Sequence, residues 1–175
     1  MNMLRVNFPE LYQRHLCRHS QYGINVVHLA TVIGSYLALF WIAAWVIDVP
    51  WILLAIPLPY FVVLGVNVSA RVLAACVVFV AGFFVLFFSI PAPPVWLCPV
   101  VLVVCHLVQN WSHRLWDLDQ DMSAYQEKYK KGPALSFPLA FYELPLLLNY
   151  LVFDRKSGVA TVEPAPTSSG APQAP

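Results

Sequence analysis

The sequence predicts an all-α, polytopic membrane protein, on three observations. Hydrophobic residues make up 59% of the 175 positions and charged ones only 11%, less than half the usual share of a soluble domain. Mean hydropathy is +0.66. Charges are also absent over long intervals: none occurs between Arg18 and Asp48, between Asp48 and Arg71, or between Arg71 and Arg114. Clustered prolines punctuate those intervals. This composition excludes an ordinary soluble globule and a disordered chain. A net charge of +1 with no basic stripe excludes a nucleic-acid binder.

The elements follow in order. A polar N-terminal stretch carrying Arg5, Glu10, Arg14 and Arg18 is expected to form an amphipathic helix over 8–20, not a cleavable signal peptide. A spanning helix needs about 20 apolar residues, so the first two charge-free intervals hold one helix each, at 27–47 and 51–68. The third holds two, at 72–90 and 94–113, separated where Pro91, Pro93 and Pro94 break the run. Pro57 and Pro59 are expected to kink the second span and Pro99 the fourth. The apolar segment 134–153 is interrupted by Pro138, Glu143 and Pro145, which favours a re-entrant or interfacial hairpin over a fifth crossing. Residues 1–156 then form one membrane domain, and the Pro-, Ala- and Ser-rich tail 157–175 is expected to be disordered.

Orientation follows from the basic residues. With both termini cytoplasmic, Arg5, Arg14, Arg18, Arg71, Arg114, Lys128, Lys130 and Lys131 all lie inside, and the two outer turns carry none. That is the positive-inside pattern. Cys17, Cys76, Cys98 and Cys105 form no CxxC pair and read as small apolar filler.

The five histidines carry the chemistry. His15 and His19 are four apart and share a helical face. His28 lies at the cytoplasmic end of the first span and His113 at that of the fourth, so four histidines meet at one membrane depth. His106 precedes His113 by seven residues, which puts it on the same face about 10 Å deeper. Gln109 lies between them and Asp117 extends the stripe; Asn25 shares a face with His28. Neutral imidazole suits Fe, Zn, Cu and Ni, and Asn25, Gln109 and Asp117 are candidate hydrogen-bonding partners that orient the ligands. No Gly-rich phosphate loop, nucleophile elbow or HExxH is present.

The stretch Tyr12-Gln-Arg-His15-Leu-Cys-Arg-His19, with Asn25-Val-Val-His28, resembles the opening motif of a membrane dioxygenase family acting on 2-hydroxy fatty acids in phytosphingosine breakdown. A second block of that family, Gln-x-x-Gly-His with an acid and then Pro-Ala-Leu, is similar to Gln109-Asn-Trp-Ser-His113, Asp117 and Pro133-Ala134-Leu135. The spacing of Asn25, Ser112 in place of Gly, Asp117 in place of Glu and a longer connection to Pro133 depart from the pattern. The resemblance implies Fe(II) held by His19, His28 and His113, with O2 and a lipid-derived 2-hydroxy acid as substrates. His15 and His106 are metal candidates from the residues alone, and Arg14, Arg18 and Arg114 are candidate partners for a substrate carboxylate. Two other readings stay open: a haem-binding electron carrier with His28 and His106 or His113 as axial ligands, and a non-catalytic membrane scaffold.

Overall fold

The computed structural model describes residues 5–47, 50–116 and 133–154, and these are helical throughout their regular parts. Helix α1 runs Phe8–Leu16, with Asn7 as N-cap accepting the Glu10 N–H and Pro9 in the first turn, a position where a missing N–H costs nothing. Helix α2 runs Tyr22–Val46. A 3-10 turn, Pro50–Ala55, precedes α3, Pro57–Asn67. Helices α4 and α5 run Ala70–Ser89 and Leu97–Trp116. Two short helices, α6 (Pro133–Phe141) and α7 (Glu143–Leu148), end in a π-helical turn, Asn149–Phe153.

The all-α class therefore holds. Two helices, α2 and α4, are long and apolar enough to cross a membrane. Proline chemistry explains the shortness of α3: Pro57 begins it instead of kinking a longer one, because the residue before proline disfavours continuing a helix. Pro99 falls in the first turn of α5, where proline is tolerated. In α5 the later half carries His106, Gln109, Asn110, Ser112, His113 and Arg114, which lowers its apolar character. The expected N-terminal helix stops at Leu16, so His19 lies in the turn before α2. The tail 157–175, Asp117 and Lys128, Lys130 and Lys131 lie outside the described residues.

The most extensive helix pairing is α2 with α5. A Cβ on Gly23 would meet the Trp116 ring at 2.6 Å, and one on Gly34 would meet Cys105 Sγ at 2.8 Å. The two contacts are eleven residues apart along each helix and run in opposite directions, so the helices pack antiparallel and close over about 16 Å. One core cluster joins Leu11 and Tyr12 of α1 to Leu64 of α3, Val72 and Cys76 of α4 and Leu144 and Leu146 of α7. A second packs Phe83, Phe84 and Phe87 of α4 against Phe40 and Trp41 of α2. The outward faces are apolar: Leu39, Trp45, Val78, Val85, Val103 and Leu107 are all exposed.

The C-terminal segment packs as a folded hairpin. Leu144 to Leu148 are buried against α4 and α2, and Tyr60 Oη donates to the Phe141 carbonyl. Tyr12 Oη donates to Asp154 Oδ2 at 2.8 Å, and the Val6 N–H donates to Asn67 Oδ1 at 2.6 Å. Together α1 and the hairpin cover the end of the bundle where α2 begins and α5 finishes.

Candidate metal centre

At that covered end the rings of His19, His28 and His113 converge. Ring centroids are 4.5 Å apart for His19 and His28, 4.8 Å for His19 and His113, and 4.9 Å for His28 and His113. The planes meet nearly at right angles, so no two of the three rings stack face to face. One ligand atom from each lies within 4.8 Å of the others. Two nitrogens bound to one ion at 2.0–2.1 Å can be at most about 4.2 Å apart, so the rings need to close by only on the order of 1 Å. These three side chains could hold a metal ion.

Their hydrogen bonds fix which nitrogen faces inward. His28 Nδ1–H donates to Glu143 Oε1 at 3.1 Å, leaving Nε2 with its lone pair. His19 Nδ1–H donates to the His15 carbonyl at 3.2 Å, with the same result. Both Nε2 atoms are buried and make no hydrogen bond. A buried polar atom without a partner is costly and uncommon, and two of them within one cluster of three imidazoles fit the donor set of a cation. The opposite nitrogen of a metal-bound histidine ordinarily donates to a carboxylate or carbonyl, and both arrangements are present.

Local structure explains how His19 reaches this point from outside a helix. Asn25, fully buried, donates from Nδ2 to the His19 carbonyl at 2.6 Å and to the Gln21 carbonyl at 2.8 Å. Its Oδ1 accepts from His15 Nε2–H at 2.9 Å. Tyr150 Oη donates to the Ser20 carbonyl at 2.7 Å, so the turn is held from both sides. Asn25 thus orients a ligand through its backbone, not through its ring. Burial, reinforced by the neighbouring imidazoles, pushes His19 well below the usual histidine range, which keeps it neutral and able to bind a metal.

His15 does not join the three. Its Nε2 is committed to Asn25, and its ring stacks on His19 at 4.2 Å with an interplanar angle of 2°; burial pushes it below the usual range too. His106 is also apart: it is exposed on α5 and, among the described residues, bonds only Asn110. The seven-residue spacing does keep His106 and His113 on one face. What differs is the cover, since the turn carrying His19 lies over His113 and no described element lies over His106. The pairing of His28 with His106 as axial haem ligands is therefore not assembled. Gln109, expected to orient an imidazole, instead donates from Nε2 to Glu143 Oε1 at 3.3 Å. Arg14 is buried in the last turn of α1, and Arg18 and Arg114 are exposed at this end.

Glu143 is the residue that sequence reasoning missed, having been read as an interruption of an apolar segment. The available signal was its cost: a lone acid in such a segment needs a partner. It accepts from both His28 and Gln109, tying the hairpin to α2 and α5. No family model, no curated protein and no solved structure matches this chain.

Proposed function

We propose that the protein is an integral membrane, non-haem iron oxygenase that shortens 2-hydroxy fatty acids by one carbon with O2. The observation that carries this reading is the clustering of His19, His28 and His113, with the Nε2 atoms of His19 and His28 buried and lacking hydrogen bonds. Three protein ligands leave further coordination positions open, the pattern of a catalytic rather than a structural site. The exposed apolar faces of α2, α3, α4 and α5 support four spans, with both termini cytoplasmic by the distribution of basic residues.

Iron(II) would supply Lewis acidity and a route to react with O2. The chain's own residues do the rest. Glu143 holds the His28 proton on Nδ1, and the His15 carbonyl holds that of His19, so both rings present Nε2. Three neutral ligands leave the ion's charge uncompensated, which favours an anionic chelating substrate such as a 2-hydroxy carboxylate. Arg18 and Arg114 lie at the same end of the bundle to attract it. An apolar cleft of about 230 Å³ lined by Tyr36, Phe40, Tyr60, Phe83 and Leu144 adjoins Glu143 through Leu144 and suits an acyl chain. The reaction balances as one 2-hydroxy acid and one O2 giving the acid one carbon shorter, CO2 and water.

The test is an anaerobically purified, iron-loaded preparation given 2-hydroxy fatty acid and O2. Consumption of O2 with appearance of the shortened acid, lost in His28→Ala, is the expected result. Iron-loaded protein that leaves both O2 and the 2-hydroxy acid unchanged would overturn the assignment.

A further inference from the structure

Further along α5 from the metal centre, an exposed flank of the helix carries a polar pair that the centre does not use. Helix α5, Leu97–Trp116, is 20 residues long, about 30 Å, and His106 and Asn110 sit near its middle. Both are exposed, flanked by exposed Val103 and Leu107. Asn110 Nδ2 donates to His106 Nε2 at 3.0 Å, and neither side chain has another hydrogen bond among the described residues. The pair is left with two donors, His106 Nδ1–H and the second Asn110 Nδ2–H, and one acceptor, Asn110 Oδ1. Turning the amide over makes His106 Nδ1 the acceptor and leaves both amide N–H groups as donors.

Resting on the reading of α5 as a membrane span, we propose that this face is the interface of a parallel homodimer. At mid-membrane depth an imidazole and a carboxamide facing lipid are costly, and such groups bond across helices. A second copy inserted in the same orientation and related by a two-fold axis along the membrane normal presents the same donor and acceptor. Each His106 then donates to the Asn110 of the other copy, making two equivalent bonds. The unspent groups are complementary to themselves, which selects a second copy over an unrelated partner.

Val103→Cys, on the same stripe one turn before His106, provides the test in native membranes, with the wild-type chain as the blank for its own cysteines. The expected result is oxidative cross-linking to a covalent dimer, abolished when His106→Leu and Asn110→Leu are added. In detergent the same double replacement should raise the dimer dissociation constant roughly tenfold or more. Because both positions are exposed, the double variant keeps the fold, which its metal content checks. A Val103→Cys chain that is shielded from a membrane-impermeant maleimide yet does not cross-link overturns the dimer alone. Labelling by that maleimide overturns the span, and the dimer with it. Cross-linking that persists in the double variant overturns the role of the polar pair.

Discussion

Replacing Glu143 by Gln keeps the shape of the hairpin and removes the charge that faces His28. In the native chain the carboxylate accepts from His28 Nδ1 at 3.1 Å and from Gln109 Nε2 at 3.3 Å. The His28 side chain is 7% exposed and that of Glu143 26% exposed, so solvent screens the interaction only in part. Both bonds go to Oε1, so a glutamine carbonyl can still accept them; what is lost is the negative charge, and an amide NH2 group stands in place of the second oxygen. Losing a carboxylate behind a ligating histidine typically costs 10–100-fold in metal affinity, or about 1.4–2.7 kcal/mol. Chelator competition against wild-type and Glu143→Gln protein measures this directly, with thermal unfolding of the metal-free forms as the control. Affinity within a factor of two of wild type, in a folded variant, would refute the assignment of Glu143 as the group orienting His28.

Asn25→Ala removes three buried hydrogen bonds from the turn carrying His19; a loss of about 2–4 kcal/mol in stability is expected, with weaker metal binding, by thermal unfolding and chelator competition. Gly34→Leu forces a side chain into the α2–α5 contact at Cys105 and should cost about 1–3 kcal/mol. Cys105→Ala should recover part of that loss in a double-mutant cycle, whereas additive effects would contradict the close approach. Burial holds His15 below the ordinary histidine range against the opposing bond from Asn25, and burial with neighbouring imidazoles does so for His19. The unfolded chain therefore takes up protons that the folded one refuses, so metal-free stability should fall as pH drops below about 6.5. A midpoint that rises on acidification would contradict this.

The helical class and the metal candidates were legible because they rest on local chemistry. Charge-free stretches mark α2 and α4, and the five histidines stand out among so few polar residues; the choice of His19, His28 and His113 among them is what the family resemblance implies. The rest depended on tertiary cover. The expected helix over 8–20 stops at Leu16, and in the turn that follows Asn25 captures the carbonyls of His19 and Gln21. His106 was grouped with His113 by spacing, which gives a shared face but not what packs against it. Glu143 lies more than a hundred residues from His28, and no periodicity links the two. The shortening of α3 at Pro57 was present in the sequence as proline chemistry, but whether a proline kinks or starts a helix depends on the 3-10 turn before it.

Metal content and absorption spectrum of the protein purified anaerobically in detergent test the central claim most directly. The account predicts about one non-haem iron per chain, set by a single three-histidine site, and its loss from a folded variant carrying His19→Ala, His28→Ala and His113→Ala. A Soret band, or no bound metal even after reconstitution with Fe(II), would contradict it.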